Sequence, residues 1–164
     1  VTLSGDGARF DADAAYLGKN SQTIDYNIVA DHFGKKTESL ITVNGALTDS
    51  AKKVFRGTID FKKGSADSVG SENETVLMLG DDVVNKTVPL ILCAEENVEG
   101  THGATIGELD ADTMFYFESR GIDRETAEKI MAYAAVERLI HMAEDSEFAA
   151  VAEKAMGIKT DTEE

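Results

Sequence analysis

The first two thirds of the chain contain only short β-type segments, and this feature constrains the fold more than any other. Apolar or β-branched runs recur roughly every 14 to 20 residues, separated by clusters of Gly, Asn, Asp and Ser. This spacing is long for an up-and-down sandwich, and no segment with helical periodicity lies between the runs to form crossover connections. The predicted strands are residues 8–16, 23–30, 39–43, 53–61, 75–79 and 88–93.

Two architectures are compatible with this pattern. Evenly spaced strands without crossover helices favour a flattened parallel β-helix, in which each coil supplies two strands. The pair Asn44-Gly45 favours the alternative, because it is typical of a type I′ hairpin turn that an antiparallel meander would use directly. In a solenoid the same pair is expected to form a corner between strands. The residue pattern leaves these two architectures about equally favoured.

Helical periodicity begins after residue 107. Asp110 and Asp123 are expected to cap the first two helices, while Gly121 and Gly157 are expected to end the first and the third. The predicted helices are residues 111–119, 124–143 and 146–156. The apolar positions of the second helix predict a buried stripe made of Ala127, Ile130, Met131, Ala134, Ala135, Leu139 and Met142.

This change of period divides the chain into two parts. Residues 1–106 are expected to form the β domain, truncated at its N-terminus because Val1 already lies within a strand-like pattern. Residues 107–164 are expected to form a helical subdomain with a frayed end from residue 159. We expect the helices to cover the last coil, so that its apolar core does not face water.

Charge and cysteine content limit the possible partners and location. Sixteen basic and 31 acidic residues give a net charge of −15, which disfavours nucleic acid and anionic membranes as partners. Cys93 is the only cysteine, so an intramolecular disulfide is impossible. No apolar run is long enough to span a membrane, and no signal-peptide pattern opens the chain. A cytoplasmic protein with a basic protein partner is therefore expected.

Residues 87–122 resemble the C-terminal signature of the SufB/SufD family of iron–sulfur cluster assembly scaffolds. This segment contains HGATIG, LD and FYFESRGI, and the upstream stretch VFRGTIDF resembles a strand of the same family. The resemblance extends over essentially the whole chain. It implies a right-handed parallel β-helix followed by a C-terminal helical subdomain, and it therefore favours the solenoid over the meander.

The same resemblance implies a function. Members of this family are non-catalytic scaffolds that dimerise through the β-helix, so the expected partner is a SufB-type protein or a second copy of this chain. A SufC-type ABC ATPase is expected to dock on the helices. The chain itself has no GxxxxGK[ST] motif, so ATPase activity is expected in the partner.

Two positions indicate the SufD branch of the family. SufB members have EHEAT where residues 101–105 of this chain read THGAT, and they have a cysteine where this chain has Val83. By resemblance, His102 occupies the position of the SufD histidine that acts at the heterodimer interface. A transient iron–sulfur cluster or iron is expected there only in the assembled complex, and none is expected on the isolated fragment.

The histidines differ in their surroundings. His102 lies among glycines that allow another backbone to approach, and neutral imidazole is a competent iron ligand. His32 and His141 have no metal-binding residue at a suitable spacing, so we expect both to be structural.

Other residues near His102 are weaker candidates. Cys93 could bind iron or sulfur as a thiolate, but its apolar strand favours an inert, buried side chain, and one cysteine cannot hold a cluster. Glu95, Glu96 and Glu99 could contribute to an iron site, although a solvated acidic loop is the preferred interpretation.

The helices carry the candidate docking residues. Phe115 with Tyr116, or Phe115 with Phe117, are expected to anchor the first helix to the solenoid, unless this helix instead contacts the ATPase. Arg120 is placed to cap the C-terminus of that helix. The second helix is expected to dock the ATPase through an apolar stripe with an acidic rim. The rim consists of Glu125, Glu128 and Glu137.

Two further functions stay open at this point. One is a β-helical carbohydrate-active enzyme of the secreted type, although no paired carboxylates stand out by their spacing. The other is a purely structural dimerisation module.

Overall fold

The computed structural model describes residues 1–156, including the side chains of residues 1–154. Within this range the chain forms eight strands followed by three helices. The strands are β1 (Thr2–Leu3), β2 (Arg9–Gly18), β3 (Thr23–His32), β4 (Glu38–Leu47), β5 (Lys52–Phe61), β6 (Ser68–Met78), β7 (Val84–Cys93) and β8 (Val98–Glu108). The helices are α1 (Ala111–Glu118), α2 (Arg124–Met142) and α3 (Ser146–Met156).

The strands form two parallel four-stranded sheets. The odd-numbered strands make one sheet in the order β1-β3-β5-β7, and the even-numbered strands make the other in the order β2-β4-β6-β8. Each strand pairs with the strand one coil further along, so that Tyr16 lies opposite Gly45 and Phe55 opposite Thr87. The chain therefore winds as a flattened solenoid of about four coils, and the predicted parallel β-helix is confirmed.

Asn44 and Gly45 lie within β4, so they form neither a hairpin nor a corner, and both expectations for this pair are wrong. Asn44 pairs with Ala15 and Gly45 with Tyr16 in the adjacent coil. A Cβ atom at Gly45 would lie 2.6 Å from three carbons of the Tyr16 ring, closer than packed atoms approach. The glycine therefore makes room for an aromatic ring in the core, which is a common reason for glycine inside a strand.

Polar residues with left-handed backbone form the corners between the sheets. Asn20 and Asp49 have φ values of 55° and 57° in successive coils. The backbone N–H of Asn20 donates to Oδ2 of Asp49 at 2.7 Å, which links the two corners. Asn and Asp tolerate this conformation better than most residues, and this explains their recurrence between the strands.

The hydrophobic core lies between the two sheets and is densest in β4 and β5. Inward positions alternate along each strand, as the two-residue period of β structure requires. The inward side chains of these two strands include fully buried Ile41, Val43, Leu47, Phe55, Ile59 and Phe61.

His32 is part of a buried hydrogen-bond network in this core. Its Nδ1 lies 2.7 Å from Thr37 Oγ1 and its Nε2 lies 2.9 Å from Ser39 Oγ. The ring also packs against Phe61, with 4.7 Å between the ring centroids. Burial lowers the pKa of His32. These contacts agree with the structural role expected for this histidine.

Several strands differ from the sequence prediction: β1 was not among the predicted strands, β4 extends to Leu47 beyond the predicted end at residue 43, and β7 begins at Val84 before the predicted start at residue 88. The largest differences are in β6 and β8. β6 begins at Ser68, whereas the predicted segment started at residue 75, and β8 was not predicted as a separate strand. The inward positions in these segments include Gly70, Glu72, Gly100 and His102, so the apolar alternation that marks a strand is missing.

The three helices lie within one residue of their predicted bounds. The Asp110 side chain accepts a hydrogen bond from the Thr113 backbone N–H at 2.7 Å, and Asp123 accepts from Thr126 at 2.8 Å. Gly121 has a φ of 76°, the left-handed conformation expected after the first helix. The predicted stop at Gly157 and the predicted frayed end lie outside the described residues.

The position of the helices differs from the prediction. Helix α2 packs against β2, β4 and β6 on the flank of the solenoid, and the expectation that it covers the last coil is wrong. Outward-facing apolar residues of the even sheet provide this surface, where Ala132 packs with Ala46 and Leu79. Arg138 also pairs with Asp13 of β2, with Nη2 3.2 Å from Oδ1.

The buried face of α2 is also not the predicted one. Its buried residues are Ala127, Ala132, Val136 and Ile140, of which only Ala127 belonged to the predicted stripe. Ile130 and Met142 of the predicted stripe are exposed. The helix therefore has two apolar faces, and small Ala132 allows one of them to lie closely against the strands. Among residues 1–156, no helix is long and apolar enough to cross a membrane.

Candidate functional site

The last coil of the solenoid, formed by β7 and β8, is the setting of the candidate site. Each of these strands is the edge of its sheet. Their inward-facing residues stack on inward-facing residues of the preceding coil, since Thr87 lies opposite Phe55 and Ala104 opposite Glu74. The residues of this coil are more exposed than their neighbours one coil earlier. Side chains that would be core in a middle coil are therefore accessible at this end.

His102 occupies an inward position on β8. It lies directly opposite Glu72 of β6, and its Nδ1 is 3.4 Å from Glu72 Oε1. The His102 side chain is 24% exposed, whereas the Glu72 side chain is only 1% exposed. The imidazole thus lies between the solvent-accessible side of the last coil and a carboxylate in the solenoid interior.

Glu72 is a buried carboxylate without a conventional hydrogen bond. Neither of its side-chain oxygens has a hydrogen-bond partner among the described residues. Burial raises the pKa of Glu72, and the charge of His102 opposes this effect. A Cβ atom at Gly57 would overlap the Glu72 carboxylate, so the glycine leaves the space that this carboxylate occupies.

A second buried ionic group lies beside Glu72. The Lys53 Nζ pairs with Glu74 Oε1 and lies 3.3 Å from Thr87 Oγ1, and the Thr87 hydroxyl donates to Glu74 Oε2. The Lys53 and Glu74 side chains are completely buried. Burial lowers the pKa of Lys53, and the interaction with Glu74 opposes this change. The pKa of the Tyr16 hydroxyl is raised by burial and, to a lesser extent, by the charge of Glu74.

These interior charged residues were missed by the sequence analysis. The signal was their position in the strand alternation, because Lys53 shares the inward parity of Phe55 and Ile59. Glu72 and Glu74 likewise share the inward parity of Val76. The predicted strand 53–61 already placed Lys53 in this parity, so its inward position could have been recognised from the sequence. Glu72 and Glu74 precede the predicted strand 75–79, so their inward positions required the observed bounds of β6.

Cys93 is exposed, so the expectation that its side chain is buried is wrong. It lies opposite buried Phe61 and has the inward parity, but it belongs to the accessible last coil. Ile91 faces Gly100 across the coil, which places Cys93 and His102 about four strand positions apart. Measured along the strand direction at about 3.3 Å per residue, this offset is roughly 13 Å.

The acidic residues near His102 do not gather around it. Glu95 accepts hydrogen bonds from the backbone N–H of Gly64 at 2.9 Å and of Glu96 at 3.1 Å, and these bonds lower the pKa of Glu95. Glu95 therefore stabilises a turn between coils, while Glu96 and Glu99 are exposed. Among residues 1–156, no group of three His, Cys, Asp or Glu side chains is arranged to hold a metal ion.

The aromatic residues of α1 face solvent. Phe115 is 71% exposed and Tyr116 is 54% exposed, whereas Met114 is the buried residue of this helix. The interpretation of Phe115 and Tyr116 as anchors to the solenoid is therefore wrong. Arg120 stacks 3.6 Å above the Tyr116 ring, and its Nη1 donates to the Tyr116 carbonyl oxygen at 3.2 Å. Its predicted role at the helix C-terminus is confirmed.

The three acidic residues of α2 do not form one continuous rim. Glu125 is exposed and pairs with Lys129 at 2.7 Å, and Glu137 lies 3.4 Å from the exposed side chain of His141. Glu128 is half-buried and lines the groove between α2 and the solenoid. Only Glu125 and Glu137 are therefore well placed to meet a partner.

The fold and its accessible last coil define a class of protein: a parallel β-solenoid with a helical subdomain on its flank and a histidine at its end. A family profile described as "SUF system FeS cluster assembly, SufBD core domain" matches residues 1–135. The chain belongs to this SufBD family, as its motifs predicted.

Of three similar curated proteins, two are SufD proteins and the third is a SufBD family protein. The chain is 32% identical over 133 residues to the iron–sulfur cluster assembly protein SufD of Bacillus subtilis, covering 81% of this chain and 30% of that protein. It is 30% identical over 88 residues to SufD of Escherichia coli, covering 54% of this chain and 21% of that protein. The chloroplastic SufBD family protein ABCI8 of Arabidopsis thaliana is 26% identical over 159 residues, covering 97% of this chain and 28% of that protein.

The chain thus spans less than a third of the length of each of these relatives. All three are described as iron–sulfur cluster assembly proteins, and the alternative of a carbohydrate-active enzyme has no support among them. The prediction of a SufB/SufD family member closer to SufD is confirmed.

Proposed function

We propose that this chain is a non-catalytic scaffold component of SUF-type iron–sulfur cluster assembly. In this proposal its solenoid pairs with a SufB-type partner or a second copy, and its helices dock a SufC-type ATPase that supplies the ATP hydrolysis. Membership of the SufBD family supports the assembly role. A solenoid with accessible edge strands and a separate helical surface supports two distinct partner interfaces.

The edge strands β7 and β8 are the proposed dimer surface. Edge strands present backbone N–H and C=O groups that a second chain can pair with. Val88, Leu90 and Leu92 on the outer face of β7 and Ile106 on β8 are large apolar side chains exposed next to this edge. Their burial against a second chain would remove apolar surface from water and stabilise the pair.

The position of His102 is the observation that carries this proposal. It lies on the edge strand, partly exposed, where a second chain would meet the solenoid. Its imidazole could bind iron or sulfur cargo there. Since the described part of this chain does not bring three metal-binding side chains together, the remaining ligands would come from the partner.

The helical subdomain is the proposed docking surface for the ATPase. Phe115, Tyr116, Ile130 and Met142 leave apolar surface exposed on α1 and α2. Glu125 and Glu137 add negative charge to α2. An apolar surface with acidic neighbours suits a partner whose contact region is apolar and rimmed by basic residues.

The test is His102→Ala in the complete complex of this scaffold, its scaffold partner and the ATPase. If His102 handles the cargo, reconstituted iron content should fall sharply while the melting temperature and complex assembly stay at the wild-type level. His141→Ala is the matched control, because His141 is exposed on α2 and should not affect loading. Wild-type iron loading by His102→Ala would exclude the cargo role and leave a dimerisation and docking module.

A further inference from the structure

We propose that Glu72 is a positioning residue for His102. It holds the Nδ1 side of the imidazole towards the solenoid interior, so that Nε2 faces the open last coil. The relevance of this orientation to cargo binding rests on the proposed function of His102. The orientation itself can be measured without iron or a partner.

The first argument is the stacking of the two residues in adjacent coils. His102 and Glu72 are directly paired in the ladder between β8 and β6, and Nδ1 lies 3.4 Å from Oε1. The Glu72 oxygens have no hydrogen-bond partner elsewhere in the described part of the chain. A buried carboxylate strongly requires a donor, and the imidazole Nδ1–H is within reach.

The second argument is that the other nearby cation is already engaged. Lys53 is paired with Glu74 and contacts Thr87, so its Nζ is directed to that carboxylate. Lys53 still attracts Glu72 electrostatically, but its direct contact is with Glu74. His102 is therefore the nearby group that can donate a hydrogen bond to Glu72.

The third argument is the space that β5 leaves for this carboxylate. Gly57 lies against Glu72, and any side chain at this position would collide with the carboxylate oxygens. The absence of a Cβ atom allows the Glu72 side chain to remain inside the solenoid beneath His102. Gly57, Glu72 and His102 therefore form one structural unit contributed by the three strands β5, β6 and β8.

This arrangement has a chemical consequence for His102. Metal-binding histidines commonly donate one ring N–H to a carboxylate, which fixes the tautomer and makes the other nitrogen a better ligand. With Nδ1–H directed at Glu72, the neutral ring carries its lone pair on Nε2. The accessible side of His102 is then an acceptor for a metal ion or another electrophile.

Nitrogen NMR of the His102 ring tests this inference directly on the chain. In the neutral ring of the wild type, we expect the proton on Nδ1. In Glu72→Ala the carboxylate is lost, and we expect the neutral ring to carry its proton mainly on Nε2. Glu72→Gln is the matched control, because its amide oxygen can still accept from Nδ1–H and should retain the wild-type tautomer. The ring nitrogen signals of His102 are identified as those that disappear in the spectrum of His102→Gln.

Gly57→Ala provides an independent variant that leaves Glu72 in the sequence. Its methyl group should displace the Glu72 carboxylate and shift the His102 ring proton towards Nε2. A melting curve establishes that the variant is folded. An Nε2–H tautomer in the wild type, or an unchanged Nδ1–H tautomer in folded Glu72→Ala, would overturn the inference.

Measurements of iron binding distinguish a failure of this inference from a failure of the proposed function. Loss of the orienting carboxylate should weaken iron binding by the assembled complex on the order of 10–100-fold in Glu72→Ala. If His102→Ala binds iron normally, the proposed function fails even when the tautomer depends on Glu72. If binding requires His102 but its tautomer does not respond to Glu72, only the positioning role fails.

Discussion

At the scale of single residues, Lys53 shows how the solenoid accommodates a charge in its interior. This cation is completely buried and makes its ionic contact with Glu74. Burial of an ion is unfavourable, and the partner charge offsets much of that penalty. Removing either charged side chain would therefore leave the other buried without its counter-charge.

Lys53→Met should destabilise the protein by about 3–5 kcal/mol, because Glu74 would remain buried without its counter-charge. The free energy of unfolding in urea measures this effect. The double variant Lys53→Met, Glu74→Leu removes both charges and should recover most of the loss. A single variant as stable as the wild type would show that the buried pair does not govern local stability.

His32 should make stability sensitive to mild acid. Burial lowers its pKa in the folded state, so the unfolded chain binds the proton more readily. The stabilisation is fully present above the unfolded histidine pKa of about 6.5 and is lost as pH falls from there through the lowered folded pKa. Between pH 7 and 5, this residue should contribute a decrease of up to about 1.4 kcal/mol per pH unit.

Urea unfolding across this pH range checks the prediction with two variants. His32→Gln keeps hydrogen-bonding capacity but does not titrate, and its stability should fall less steeply on acidification. His141→Gln is the control at an exposed position and should follow the wild-type curve. Identical slopes for His32→Gln and the wild type would contradict the assignment of the pH dependence to His32.

At the scale of elements, α2 has one face on the solenoid and another that is free to meet a partner. Its packed face includes Ala132, Val136 and Ile140, while Ile130 and Met142 are exposed. The helix can therefore stabilise the solenoid and bind a second protein at the same time. Substitutions on its exposed face should affect binding without disturbing the fold.

Reversing the charge of Glu125 and Glu137 to lysine should weaken binding of the SufC-type ATPase. Both residues are exposed, so the change in folding stability should remain within about 0.5 kcal/mol. Titration calorimetry or a pull-down measures binding. Glu96→Lys with Glu99→Lys gives an equal charge change at exposed positions at the start of β8, away from this helix. Equal ATPase affinity for the two double variants would argue against docking on α2.

At the scale of the whole molecule, the solenoid ends in a coil whose edges are available for association. Val88 and Leu90 are exposed on β7, beside the edge of its sheet. Val88→Lys with Leu90→Lys should shift the proposed dimer towards monomer, because burial of two ammonium groups at an apolar interface is unfavourable. Light scattering over a range of protein concentrations measures the change.

A matched control uses an apolar residue on another surface. Val151 is exposed on α3, and Val151→Lys should leave association unchanged. Wild-type protein that remains monomeric at high concentration, in the presence of its scaffold partner, would contradict the dimer proposal. Equal association of the double variant and the wild type would exclude this part of β7 from the interface.

The sequence by itself determined the elements that depend on local interactions. The helix bounds followed from Asp110, Asp123 and Gly121, because capping bonds and left-handed turns involve residues close in the chain. The strands β3 and β5 followed from their apolar alternation, whereas the second half of β4 was missed. The long HGATIG and FYFESRGI motifs predicted the family, and this in turn favoured the solenoid where the local pattern left two architectures open.

The tertiary structure decided which residues meet and which remain accessible. His102 and Glu72 are about one coil apart in the chain, and the parallel register brings them together. Cys93 has the parity of a core residue but is exposed, because it belongs to the last coil. The flank position of α2 likewise depends on the outward residues of three strands. Local periodicity determines the direction of a side chain, whereas the stacking of distant coils determines what that side chain contacts.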